Sequence, residues 1–182
     1  MTVRAWLSLG SNIDRERNIR SALIALENSF GQLIVSPVYE SEAVGFEGDP
    51  FLNLVVGVDT DCPSNEVAET LRLIEQAHGR RREGEKFSSR TLDIDLLTYG
   101  QHIIQAPGVS VPRDEITRYA FVLLPLSLVA GDELHPIEGV SYKALWDAFD
   151  KTQQRLRAVE IGLDRGEMEM APTSIGGSQR EA

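Results

Sequence analysis

The run Arg90-Thr91-Leu92-Asp93-Ile94-Asp95-Leu96-Leu97 sets two carboxylates two residues apart in an apolar, strand-like segment, with a guanidinium three residues before the first. Side chains alternate faces along a strand, so Asp93 and Asp95 share one side while Leu92, Ile94 and Leu96 take the other. Two like charges on one face repel unless a cation lies between them. One or two carboxylates together with phosphate oxygens are a usual ligand set for Mg²⁺, so the pair points to a divalent cation and a nucleotide. A solvent-facing strand edge carrying two aspartates would look the same locally, and the surroundings have to decide.

Those surroundings are basic. From Arg72 to Arg90 there are six cationic residues (Arg72, Arg80, Arg81, Arg82, Lys86, Arg90) against three acidic ones (Glu75, Glu83, Glu85), a local charge of +3 in a chain whose net charge is -10. A small polyanion would be steered to such a segment. Phosphoryl-type transfer draws its acceleration from positioning and from cations on the phosphate oxygens, so arginines beside metal ligands matter more than a side-chain nucleophile. Neither a P-loop nor a dinucleotide glycine fingerprint is present, so a nucleotide would have to be held on another scaffold.

The elements that must position these groups follow from periodicity. Residues 3–9 read as a strand, followed by Gly10-Ser11-Asn12 as turn and cap and a helical stripe of Ile19, Ala22, Leu23, Leu26 and Phe30 that Gly31 ends. Residues 33–39 read as a second strand and residues 40–50, with Gly45, Gly48 and Pro50, as a flexible loop. In residues 51–60, Leu52, Leu54, Val56 and Val58 alternate with Phe51, Asn53, Val55 and Gly57. Pro63-Ser64 then opens a helix carrying Val67, Leu71 and Ile74 that stops near Gly79. Residues 80–89 lack an apolar period and read as a second mobile loop leading into the Asp93/Asp95 strand.

The order βαββαβ is that of a ferredoxin-like α+β fold, an antiparallel sheet with helices on one face. Beyond it, Val111-Pro112 ends a short extension. Residues 121–129 read as an apolar helix, and Tyr142, Leu145, Trp146 and Phe149 as a further helical stripe. One domain over residues 1–160 and a disordered tail over 161–182, with Gly176-Gly177-Ser178-Gln179, account for the 182 residues.

Composition excludes several classes. The acidic balance argues against a nucleic-acid-coating surface. No segment approaches bilayer-spanning length, and the chain enters Val3-Arg4-Ala5-Trp6-Leu7 without a basic and then apolar leader, so a soluble, cytoplasmic protein acting on small molecules, without membrane or nucleic-acid partners, is expected. Cys62 is alone, which rules out an intramolecular disulfide and a cysteine metal cluster and leaves a buried or merely tolerated thiol. His78, His102 and His135 are scattered and read as structural.

Residues 86–97, Lys86-Phe87-Ser88-Ser89-Arg90-Thr91-Leu92-Asp93-Ile94-Asp95-Leu96-Leu97, closely resemble the signature of the 6-hydroxymethyl-7,8-dihydropterin pyrophosphokinase family. Leu9-Gly10-Ser11-Asn12, Phe51-Leu52-Asn53, Glu75 with Gly79-Arg80, Val111-Pro112 and Phe121-Val122-Leu123 with Pro125-Leu126 fall in the family's order, over roughly residues 3–150. The resemblance implies transfer of pyrophosphate from ATP to the hydroxymethyl group of a reduced pterin, releasing AMP, as a step toward folate. It implies that Asp93 and Asp95 hold two Mg²⁺ ions, that Asn53 hydrogen-bonds the pterin, and that Phe51 and Phe121 stack on it with Ser41 and Val44 lining the pocket. Arg80, Arg82 and Arg90 match arginines acting on the transferred phosphates. Glu75, Arg82, Phe87, Arg90, Leu96, Ser110, Arg113 and Arg118 match positions around the nucleotide.

Several positions depart from the family pattern. Arg113 stands where a histidine is usual, Tyr119 where an arginine is usual (with Arg118 one position earlier), Phe87 for a tryptophan, Ser88-Ser89 for Gly-Pro and Glu42 for a proline. A divergent paralogue with weak or altered activity, or a ferredoxin-like binding module without catalysis, are the alternatives these leave.

Overall fold

The structure is a computed structural model that describes residues 1–43, 47–79 and 92–162. Its centre is an antiparallel sheet in the order β5-β1-β4-β3-β8, made of β1 (Val3–Ser11), β3 (Val38–Ser41), β4 (Phe51–Thr60), β5 (Asp93–Tyr99) and β8 (Leu156–Val159), with the two-residue β2 (Ile34–Val35) also on β4. Helices α1 (Arg15–Phe30) and α2 (Ser64–Ala77) complete the ferredoxin-like βαββαβ unit. The expected second strand over 33–39 is split into β2 and β3. Ser36-Pro37 interrupts it, because proline has no N–H for a ladder and the Ser36 hydroxyl instead accepts the Val55 N–H at 2.8 Å.

The alternation read from the sequence is realised on both faces. Leu7 and Leu9 of β1, Leu52, Leu54, Val56 and Val58 of β4, and Leu92, Ile94 and Leu96 pack with Ile19, Ala22, Leu23, Leu26, Val67, Leu71 and Ile74 in one core. The opposite face carries Trp6, Val55 and Leu97, and a second core forms there from Ile116, Val122, Leu123, Leu126 and Tyr142. These come from α3 (Glu115–Arg118), α4 (Ala120–Val129) and α5 (Tyr142–Asp147). The two helices of the ferredoxin-like core, α1 and α2, lie on one face as expected, and the C-terminal helices cover the other, since α4 is apolar around its circumference and must be buried against something. Trp6 can lie flat on the sheet only because its register partner is Gly57; a Cβ there would come within 2.5 Å of Trp6 Cζ3.

The C-terminal part adds features that periodicity did not suggest. Val111-Pro112 closes a hairpin of β6 (Ile104–Ala106) and β7 (Val109–Val111), and the Val111–Pro112 peptide is cis. Strand β8 pairs with β3, and Ile161 is 4% exposed in the first core while its carbonyl accepts from Arg20 Nε at 3.0 Å. The folded part therefore reaches past residue 160, and residues 163–182 lie outside the described residues. Cys62 is exposed. Among the described residues no helix is long and apolar enough to cross a membrane.

Candidate active site

The second core covers only part of its face. Beyond Trp6, Val55 and Leu97 the sheet continues as two register rows, Asp95–Ser8–Val55 and Asp93–Gly10–Asn53, with Tyr39 paired beyond Asn53. Alternation puts Asp93, Asp95, Asn53 and Phe51 on this same open side. Gly10 leaves the floor between Asp93 and Asn53 bare. A Cβ there would meet Asn53 Oδ1 at 3.4 Å and Phe51 Cδ1 at 3.7 Å, so the amide and the ring converge over it. Asn53 is 4% exposed, and its Nδ2 donates to Ser41 Oγ at 2.7 Å and to the Tyr39 carbonyl at 3.3 Å. A mid-strand asparagine is disfavoured by propensity. Here the bonds across β3 fix its rotamer and turn Oδ1 toward Gly10.

Asp93 and Asp95 are half-buried on β5, with Ile94 between them turned into the core. Among the described residues β5 ends the sheet, and no described strand pairs with its outer backbone edge. The buried Glu75 of α2 supplies the partner there, its Oε1 accepting the Ile94 N–H at 2.8 Å. This bond ties α2 to the residue between the two aspartates.

Along the outer edge of β5 runs a cleft of about 530 Å³, walled by α2 (Asn65, Glu69, Arg72, Glu75), by β5 (Ile94, Asp95, Leu96) and by the β6–β7 hairpin with Ser110 and Arg113. Arg113 enters β5's neighbourhood through its N–H, which donates to the Leu97 carbonyl at 2.9 Å. Its guanidinium is bidentate on Glu115, with Nε to Oε2 at 3.1 Å and Nη2 to Oε1 at 2.9 Å, and Nη2 stands 3.9 Å from Asp95 Oδ1. Burial works against the charge on Arg113, yet the bond to Glu115 and the fields of Asp95, Glu115 and Asp114 outweigh it and hold its pKa above the ordinary arginine value. Burial also opposes ionisation of Glu115, and the Arg113 bond, its own backbone N–H and the charges of Arg113 and Arg118 still keep its carboxyl below the usual range.

The structure thus gathers Glu75, Asp95, Leu96, Ser110 and Arg113 around one cleft, and Asp93, Asn53, Phe51 and Ser41 on the adjoining floor. Phe121 stands in the first turn of α4, half-buried and stacked on Tyr119 with ring centroids 5.0 Å apart and planes inclined by 15°. Arg118 is exposed and is not part of the cleft wall. Val44, Arg80, Arg82, Phe87 and Arg90 lie outside the described residues. Glu115 and Asn65 belong to the cleft or its supports and were not expected there, and Arg72, counted in the basic segment, lines the cleft from α2. Glu115 could have been suspected from its place two residues after Arg113, whereas Asn65 has no sequence signal beyond the polar face of α2.

A row of carboxylates beside a cleft with a fixed guanidinium suits a phosphate-bearing ligand and its counter-cation. Comparison with known proteins agrees. The profile of the 7,8-dihydro-6-hydroxymethylpterin-pyrophosphokinase family matches residues 6–131. The 2-amino-4-hydroxy-6-hydroxymethyldihydropteridine pyrophosphokinase of Pseudomonas aeruginosa is 35% identical over 136 residues, covering 72% of this chain and 83% of that protein. Its namesake from Porphyromonas gingivalis is 36% identical over 137 residues, 72% and 92% of the two chains. Among solved structures, the wild-type HPPK-DHPS of Plasmodium falciparum matches with a TM-score of 0.62 at 15% identity; it spans 81% of this chain, and this chain spans 44% of that one. The chain belongs to the 7,8-dihydro-6-hydroxymethylpterin-pyrophosphokinase family, and is an ATP-dependent diphosphotransferase.

Proposed function

We propose that this chain transfers the terminal pyrophosphate of ATP to the hydroxymethyl oxygen of 6-hydroxymethyl-7,8-dihydropterin, with the pterin over Gly10 and the nucleotide in the cleft beside β5. The observation that carries the reading is the continuity of the two: Asn53 and Phe51 converge on bare floor one register position from Asp93, and Asp95 lines the cleft. The attacking hydroxyl oxygen forms a bond to the β-phosphorus, the bond from that phosphorus to the oxygen of the α-phosphate breaks, AMP leaves, and the hydroxyl proton passes to solvent.

Asp93 and Asp95 fit a hard cation, since they offer carboxylate oxygens on one strand face. No group of three or more His, Cys, Asp or Glu able to enclose a metal occurs among the described residues. Two carboxylates together with phosphate oxygens are a usual ligand set for Mg²⁺. When bound, Mg²⁺ ions, two by family resemblance, would neutralise the triphosphate and favour in-line attack. Asn53 orients the heterocycle, with Ser41 holding its amide; Phe51 and Phe121, with Val44, supply apolar surface for it. Arg113 contributes a permanent cation beside Asp95; Glu75, Leu96 and Ser110 line the cleft for the nucleotide, and Phe87 and Arg118 join them by family resemblance alone. Arg80, Arg82 and Arg90 meet the charge that develops on the transferred group.

The test is to incubate the protein with ATP, Mg²⁺ and the dihydropterin and to follow AMP. AMP must form only when the pterin is present and must be lost in Asp95→Ala. AMP release that ignores the pterin, or that survives Asp95→Ala, would reject the assignment.

A further inference from the structure

On the helix side of the sheet, the Arg15 side chain at the start of α1 is bonded to two separate chain segments. Its Nη1 lies 2.7 Å from Glu40 Oε2 and donates to the Pro50 carbonyl at 3.1 Å. Glu40 immediately precedes Ser41, Pro50 immediately precedes Phe51, and Ser41 and Phe51 are register partners at the end of the β3–β4 ladder. One guanidinium therefore ties the two strands together where the chain leaves one and enters the other. Two further bonds brace the same place: Asn12 Nδ2 donates to the Asp49 carbonyl at 3.0 Å, and Arg157 of β8 donates to Glu40 Oε1 at 3.1 Å.

Alternation along β3 sends Val38, a member of the first core, and Glu40 to the helix side, and Tyr39 and Ser41 to the open side. The tie therefore lies behind the strands whose front carries Ser41, Asn53 and Phe51. Exposed ion pairs contribute little as a rule, but the Glu40 side chain is only 18% exposed and takes a guanidinium on each oxygen. The bond from Arg15 first, and that from Arg157 second, hold its carboxyl below the usual range despite the opposing effect of burial.

We propose that Arg15 is a positioning residue for the acceptor pocket: by joining Glu40 to the Pro50 carbonyl it holds the end of the β3–β4 ladder closed at the Ser41–Phe51 pair, and so controls affinity for the pterin without touching pterin or ATP. The inference rests on the pterin site proposed above.

The experiment uses the full chain with Arg15→Ala, Arg15→Lys and Glu40→Gln, and reads amide hydrogen exchange, the melting temperature and steady-state kinetics. In Arg15→Ala, exchange should rise about tenfold at residues 39–41 and 51–53 and stay unchanged in β5 and α2. The KM for the pterin should rise about tenfold, with kcat at saturating pterin and the KM for ATP within about twofold of wild type. Arg15→Lys should recover part of the pterin affinity, and Glu40→Gln should reproduce part of the loss. Unchanged exchange at the two strand ends, exchange accelerated across the whole sheet, or an equal rise in the KM for ATP would each overturn the proposal. If the wild type forms no pterin-dependent AMP, the pterin reading is what falls. The exchange pattern then judges the tie by itself, supporting it if confined to the two strand ends and overturning it if not.

Discussion

Replacing Glu75 asks whether the aspartate row is held from α2. Glu75 is 7% exposed and accepts the Ile94 N–H at 2.8 Å, on the side of β5 that no described strand covers. Glu75→Ala removes a charged acceptor and leaves that N–H unsatisfied. Hydrogen bonds to charged groups contribute roughly 1.5–3 kcal/mol, and losing the side-chain methylene from a packed site adds about 0.8 kcal/mol. Part of this is offset, because a carboxylate no longer has to be desolvated. The net expectation is a loss of about 2–3 kcal/mol, which for a domain of this size lowers the melting temperature by roughly 4–12 °C. Glu75→Gln keeps an oxygen acceptor without the charge and should forfeit about half of that.

Calorimetry gives the stability, and AMP formation at 25 °C, well below both transitions, gives the consequence for Asp93 and Asp95. The rate should fall in the same order, wild type above Gln above Ala, because a loosened β5 lets the two carboxylates depart from their common face. A melting temperature for Glu75→Ala within a degree of wild type would refute the reasoning. Equal damage from Gln and Ala would show that the charge, rather than the bond to Ile94, is what counts.

Other substitutions separate folding from function. Gly10→Ala places a methyl group 3.4 Å from Asn53 Oδ1, an ordinary contact. The protein should melt within about 1 kcal/mol of wild type while losing pterin affinity by fluorescence titration. Gly57→Ala drives a methyl group to 2.5 Å from Trp6 Cζ3 and should cost about 1–3 kcal/mol by overpacking, seen as a lowered denaturation midpoint with a shifted tryptophan emission. His135, 5% exposed, accepts the Ile137 and Glu138 N–H groups at Nδ1, 3.1 Å each, and must therefore be neutral there. Burial lowers its pKa, against the raising effect of Glu138. The unfolded chain therefore takes up the proton first, and stability is full above the unfolded value of about 6.5 and falls as pH drops below it. His135→Asn should flatten the decline of melting temperature between about pH 7 and 5; an unchanged slope would assign that decline to other groups.

Much of the fold was legible because its periods are clean. The 3.6-residue stripes of α1 and α2 and the two-residue alternation of β4 each name a single buried face, and those faces meet in the first core. The split of residues 33–39 was signalled by Pro37. The second core was only half legible: the apolar character of α4 required burial, but nothing local said that it would cover Trp6, Val55 and Leu97 and stop short of Gly10. Strand β8 escaped notice because a four-residue edge strand with two exposed positions has no pattern to read.

The chemistry was written locally, and its geometry was not. Asp93 and Asp95 share a face in any strand because side chains alternate, so the sequence by itself determined that two carboxylates would stand together with a basic segment before them. It determined equally that Asn53 would share the face of Phe51. Only the tertiary structure decided that Gly10 separates Asp93 from Asn53, that Glu75 reaches Ile94 across 19 residues of chain, and that Arg113 spends its guanidinium on Glu115 beside Asp95. The physical reason is that such contacts depend on strand order and register, which are set by how two buried faces close on each other and by no short stretch of sequence.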